Sequence, residues 1–197
     1  MPAAGLVVAK RYGWACGFAL LGGFFAYFFR DPERRAPAGP GLVVSPADGR
    51  VMIAGAADPR WAPPGAWKQI TVFLSPMDVH INRSPVAGRV TRIEYRPGRF
   101  LPAYDRAAND NERNEIWVEH DGTTIVFRQV VGILARRIVC RVREGDVVSR
   151  GGRIGLMKFG SRMDVFVPVH ADLRVAVGDR VVGGETVVAT LDQAGAR

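Results

Sequence analysis

From Gly13 to Phe29 the chain carries no charge, reading GWACGFALLGGFFAYFF, with Lys10, Arg11 and Arg30 at its borders. The run is apolar on every side, so it predicts a helix without a polar face, at the lower edge of the length that crosses a bilayer. Its aromatic ends favour the headgroup region, and membrane attachment is the expectation. A buried core helix and a cleavable leader are the competing readings, but no small-residue cleavage pattern follows the run. Asp31 to Pro40 is polar and proline-rich, which predicts a linker. The chain thus divides into an anchor and linker over residues 1–40 and a second domain over 41–197.

Beyond Gly41 the pattern changes to short β-branched runs separated by turn residues: Leu42 to Ser45, Arg50 to Ala54, Gln69 to Leu74, Arg89 to Tyr95, Glu115 to Glu119 and Thr123 to Arg128. His120-Asp121-Gly122 predicts a hairpin turn, because Asp-Gly accepts the backbone angles that match strand twist. No sustained helical period follows, although Met77 to Asn82 and Pro102 to Ala108 could each form one short turn of helix. Arg143 to Gly151 (REGDVVSRG) is echoed by Ala176 to Gly184 (AVGDRVVGG). Each copy is a strand, a Gly-Asp turn, a valine pair and a glycine. The fold class is mainly β, a flattened barrel or sandwich in which one half resembles a biotinyl or lipoyl carrier domain, plus the N-terminal hydrophobic helix.

At 197 residues the chain can bury a real core, and its net charge of +8 points to an anionic partner. A nucleic acid is disfavoured, because aromatics are not interleaved with basic residues on adjacent strands. The two cysteines, Cys16 and Cys140, are far apart in apolar settings, so neither a disulfide framework nor a metal site is expected. Cys140 reads as a buried strand residue.

The candidate chemistry centres on Gly160-Ser161. A hydroxyl following glycine can turn on the preceding carbonyl, since glycine leaves the approach open and tolerates strained angles. Ester formation and loss of the serine oxygen would leave a dehydroalanine, and hydrolysis would leave a pyruvoyl cap on the downstream fragment. That cap is a built-in electrophile, able to condense with an amine. An ordinary turn is the bland alternative. His80, in a proline-bracketed polar segment after a strand, is the histidine best placed for proton transfer. His120 reads as solvated on its turn, and His170 has no evident partner. Asp48, in Ser-Pro-Ala-Asp-Gly, is either a turn residue or the carboxylate that orients a histidine. Asn111 to Glu115 reads as an exposed loop. Arg96 to Ala103 suits either a solvated loop or a segment touching a lipid headgroup.

Together, Ser-Pro-Ala-Asp-Gly at 45–49, Ser-Pro-Met-Asp-Val-His at 75–80 with Pro85 following, Asn-Glu-Arg-Asn at 111–114 and Phe-Gly-Ser at 159–161 resemble phosphatidylserine decarboxylase proenzymes. The short bacterial and archaeal form, with Phe-Phe-Arg-Asp-Pro at 28–32, is most similar. The resemblance implies cleavage between Gly160 and Ser161 into a β chain (1–160) and an α chain (161–197) that stay together as a heterodimer, with further oligomerisation open. Ser161 becomes the covalent pyruvoyl cofactor, the substrate's amine condenses with it, and carbon dioxide is lost to leave phosphatidylethanolamine. It further implies proton handling by His80, a self-cleavage role for Asp48, an anionic membrane surface as partner, and a place at the cell membrane on the cytoplasmic side. Longer members carry a second histidine where this chain has Arg83, and arginine is no base at ordinary pH. Either His80 serves both steps, with Asp48, or the base is Asp48, Asp78 or His170. An archaetidylserine substrate keeps the same chemistry. A carrier module modified at Lys158 is the rival of a different class, disfavoured because Gly155-Leu156 lacks an acidic lead.

Overall fold

The computed structural model describes residues 2–133, 137–157 and 160–191, with side chains for all of these except 2–13 and 106–107. The chain forms two compact units, Met1–Pro32 and Glu33–Arg197. In the first, α1 (Pro2–Phe28) begins well before the uncharged run, so Lys10 and Arg11 lie within the helix and not at its border. Its side chains from Trp14 to Phe25 are exposed, and Phe24, Phe25, Phe28 and Phe29 stack on one another. Among the described residues no helix is long and apolar enough to cross a membrane.

The second unit is mainly β, as the alternating pattern predicts. Its strands are β1 (Leu42–Val44), β2 (Gly49–Ala56), β3 (Trp67–Leu74), β4 (Ile81–Arg83), β5 (Gly88–Arg96), β6 (Arg113–His120) and β7 (Thr123–Val130), followed by β8 (Ile138–Cys140), β9 (Val147–Val148), β10 (Arg153–Met157), β11 (Ser161–Pro168), β12 (Asp172–Leu173), β13 (Arg180–Val181) and β14 (Val187–Thr190). Among the described residues, one sheet of order β13-β2-β3-β11-β7-β6-β5-β9 curls as a half-barrel, and β1-β14-β12 and β4-β10-β8 form two smaller sheets. Val51, Ile70, Val72, Ile116, Val118, Ile125, Phe127, Met163 and Val165 alternate onto one face and make the core, where each large side chain removed from water contributes about 1.5–3 kcal/mol. Asp121 and Gly122 both take positive φ, 48° and 76°, in the expected two-residue hairpin.

The sequence echo is the trace of a pseudo-two-fold that relates the halves of the long sheet. Gly178 and Asp179 bond to Val51 as Gly145 and Asp146 bond to Val90, and Arg50 reaches the Gly178 carbonyl as Arg89 reaches that of Gly145. The two Ser-Pro turns interlock. The Val44 N–H donates to Pro85 and the Arg83 N–H to Pro46, while Ser45 and Ser84 each donate their hydroxyl to the carbonyl two residues on, at 2.7 Å. Gly49 and Gly88, which close these turns, press their Cα atoms against the carbonyls of Phe73 and Glu119.

Two local expectations differ from what forms. Met77 to Asn82 makes a turn and then strand β4, because Pro76 and Pro85 bracket it and the Asp78 carboxylate accepts the Ser75 N–H at 2.8 Å, closing the turn. The short helix predicted over Pro102 to Ala108 is a 3₁₀ turn at Arg106–Asp110. Residues 33–40, read as a linker, lie along the β unit. Arg150 donates to the carbonyls of Pro37 and Gly39 at 2.8 and 2.9 Å, and Arg153 pairs with Glu33 at 2.7 Å.

Candidate functional site

Three strand ends converge at one end of the long sheet. β11 runs between β3 and β7, and its first residue, Ser161, is registered against Leu74, the last of β3. Asp48 immediately precedes β2, the strand on the other side of β3. β4 pairs with β10 so that Ile81 faces Leu156, and the His80 carbonyl accepts the Met157 N–H at 3.3 Å. Leu74 and His80, at the two ends of one loop, therefore meet Ser161 and Met157 respectively.

Ser161 is fully buried, and its Oγ has no hydrogen-bond partner among the described residues. A buried hydroxyl left unmatched costs about 1–3 kcal/mol, so its retention calls for a use. Gly160 before it sits at φ +65°, in the left-handed region, and a side chain there would meet open space. Glycine is required at 160 by backbone angle, not by crowding.

His80 is buried beside this junction, at 3 % exposure. Asp48 is held differently. One carboxylate oxygen accepts the Gly183 N–H at 2.7 Å and the other pairs with Arg34 at 2.9 Å, while Arg34 also reaches Glu185 at 3.3 Å. The structure thus brings His80 and Ser161 to one junction and places Asp48 at the same sheet end, with its oxygens on Arg34 and Gly183. Arg83 is buried and donates to the Gly151 carbonyl at 3.0 Å. Asp78 caps its own turn and lies 3.6 Å from Arg180. His170 is exposed beyond the far end of β11. His120 is not a solvated turn residue: it ends β6, half-buried, with Nδ1 2.7 Å from the Ala87 carbonyl. Cys140 is half-buried, and burial raises its thiol pKa. Lys158 lies outside the described residues.

An apolar pocket of about 340 Å³ opens directly onto Gly160, walled by Phe73, Pro76, Pro102, Ala103, Tyr104 and Ile133. Tyr104 and Ile133 are exposed at its rim, as is Met77 on the neighbouring turn. Asn111, read from sequence as an exposed loop residue, is fully buried and ties two pocket walls together. Its amide donates to the carbonyls of Leu101 and Val131 at 2.8 and 2.9 Å, and its oxygen accepts the Leu101 N–H at 2.9 Å. Its motif carries part of the resemblance, but no local signal shows that it is buried, because its partners lie ten and twenty residues away in the chain. The loop from Arg96 to Ala103 doubles back on it through a bridge from Arg99 to Asn111.

A polar cavity of about 470 Å³ lies on the same face of the sheet, where Arg162 is registered against Phe73 and Tyr104 borders both spaces. Its charges are matched internally, Arg60 with Asp58 and Arg162 with Asp164, and Thr71 donates to Asp164 at 2.8 Å. These pairs make it structural. The Gly160-Ser161 bond thus lies where strand ends meet: the apolar pocket reaches Gly160, and Ser161 is registered with Leu74 on the core face.

Comparison with known proteins shows the family. The family described as "Phosphatidylserine decarboxylase" matches residues 21–189. Proteins named phosphatidylserine decarboxylase proenzyme are similar across most of the chain. One from Solibacter usitatus is 44% identical over 190 residues, covering 95% of this chain and 89% of its own. One from Granulibacter bethesdensis is 46% identical over 180 residues (85% and 71%), and one from Burkholderia multivorans is 44% identical over 184 residues (92% and 86%).

Proposed function

This chain belongs to the phosphatidylserine decarboxylase family, and we propose that it cuts itself between Gly160 and Ser161 and removes the serine carboxylate of a membrane phospholipid with the pyruvoyl group so formed. The carrying observation is the buried Ser161 hydroxyl, without a hydrogen-bond partner among the described residues, directly after a left-handed glycine that an apolar pocket reaches.

The maturation needs only atoms of the chain and one water. The Ser161 Oγ bonds to the Gly160 carbonyl carbon, its proton passes to the Ser161 nitrogen, and the C–N bond breaks to leave an ester. Removal of the α-proton of residue 161 then breaks the Oγ–Cβ bond, so Gly160 departs as a carboxylate. Water replaces the nitrogen, which leaves as ammonia, and a ketone remains at the new terminus. Once formed, that group supplies an electron-withdrawing carbonyl that condenses with an amine and accepts the electron pair released with carbon dioxide. His80, buried at the same junction, is the proton carrier. Asp48 supplies negative charge at the adjoining strand end, held in place by Arg34 and Gly183. The apolar pocket gives the lipid's first chain atoms a dry wall next to the reacting centre. The two products remain a heterodimer because β11 lies inside the sheet.

The exposed apolar side chains of α1 and the net charge of +8 support attachment to an anionic lipid surface. Intact-mass measurement of the wild type beside Ser161→Ala tests the maturation. The wild type should give two fragments, the smaller starting at residue 161 and lighter by one ammonia than a serine-started peptide, while the variant stays whole. A wild type that stays whole and still releases carbon dioxide would overturn the reading.

A further inference from the structure

Gly132, in the loop after β7, lies against the carbonyl of Gly160. A Cβ on residue 132 would overlap the Gly160 oxygen, stand 3.1 Å from its carbon and 3.3 Å from the Ala103 Cβ. The backbone of Gly132 does not take the left-handed angles that glycine favours, so any residue could adopt its conformation. Its lack of a side chain is therefore needed for contact, whereas that of Gly160 is needed for angle. The loop cannot easily retreat. Asn111 holds the Val131 carbonyl at 2.9 Å and the Leu101 side of the pocket at the same time, and the Val131 N–H donates to Glu112 at 3.1 Å. A methyl group at 132 would be accommodated by moving the Gly160 carbonyl.

We propose that Gly132 is a positioning residue for self-cleavage, a bare Cα against which the scissile carbonyl rests in line for the Ser161 hydroxyl. This rests on the maturation proposed above. Attack on a carbonyl is sensitive to placement, and about 1 Å of error costs roughly a hundredfold in rate. Gly132→Ala should therefore slow the appearance of the two fragments by about a hundredfold.

The test follows fragment formation by intact mass in wild type, Gly132→Ala, Val131→Ala and Gly132→Ala/Ala103→Gly, with and without hydroxylamine, which cleaves an accumulated ester. Val131→Ala loosens the same loop without adding an atom beside the carbonyl and should cut close to the wild-type rate. Ala103→Gly removes only the 3.3 Å neighbour and should not restore Gly132→Ala. Hydroxylamine should not restore it either, because ester formation is itself the slowed step and no ester accumulates. Melting temperatures on a Ser161→Ala background, where no chain can cut, should be nearly equal with Gly and Ala at 132. Cutting of Gly132→Ala at the wild-type rate, rescue by hydroxylamine or by Ala103→Gly, equal slowing in Val131→Ala, or a large fall in melting temperature would each overturn the assignment. A wild type uncut at this bond would instead overturn the maturation itself.

Discussion

Arg34 clamps Asp48 to Glu185: one guanidinium nitrogen lies 2.9 Å from the Asp48 carboxylate and another 3.3 Å from that of Glu185. The Arg35 N–H adds a third contact, to Glu185 at 3.1 Å. The segment entering the β unit is thereby fastened to the turn that carries a candidate catalytic carboxylate. Asp48→Ala leaves one Arg34 nitrogen and the Gly183 N–H unmatched and should cost about 1–3 kcal/mol. Arg34→Ala removes a pair that is partly open to solvent and should cost about 1 kcal/mol or less. Urea midpoints on the Ser161→Ala background give both values, and the reverse ranking would show that the clamp and not the turn dominates.

The same clamp should be sensitive to acid. Glu185 is held below its ordinary value of 4.5, first by the Arg35 N–H and then by the Arg34 charge and hydrogen bond. A carboxylate depressed on folding stabilises above its unfolded pKa and loses that contribution as the pH falls through the folded one. Amide exchange over residues 33–40 should thus accelerate as the pH falls below about 4.5, and Glu185→Gln should remove the dependence. Acceleration that survives Glu185→Gln would place the sensitivity elsewhere.

His80→Ala should abolish the proton transfer assigned to this residue. Once matured, it should release carbon dioxide about 10²–10⁴ times more slowly, and its fragments should also form more slowly. Wild-type rates of both steps in this variant would leave Asp48 or Asp78 as the base.

Gly49 and Gly88 occupy equivalent places in the two halves, each against a backbone carbonyl. Alanine at either should cost about 1–3 kcal/mol by crowding. Only Gly49→Ala should also slow self-cleavage, since Gly49 adjoins Asp48 and the Phe73 carbonyl beside the reacting junction. Equal cleavage in both variants would mean that the turn does not influence the site.

Most strands of the long sheet were legible because β-branched runs alternate with turn residues, whereas their order and register, which depend on remote pairings, were not. The pairing of Gly160 with Ser161 stood out for the same kind of reason, as a local chemical possibility. Asn111 and Gly132 did not, because their roles come from remote contacts: one joins Leu101 to Val131, the other makes room for a carbonyl in β11's approach. Asp48 illustrates a third case. Its turn was readable from Pro-Ala-Asp-Gly, but its partner Arg34 came from a stretch whose prolines suggested a loose connection. Even α1 was only half readable, since the charges at Lys10 and Arg11 marked a change of polarity and not a helix end.

β11 is hydrogen-bonded on both sides, to β3 and to β7, and the proposed cut falls at its first residue. The information that threads this strand into place is therefore available only while the chain is continuous. Afterwards the strand is an insert whose covalent guide has been removed, and a matured molecule once unfolded must find its other piece by diffusion. Loss of structure should become a one-way, concentration-dependent event for the working enzyme, while the uncut precursor refolds alone.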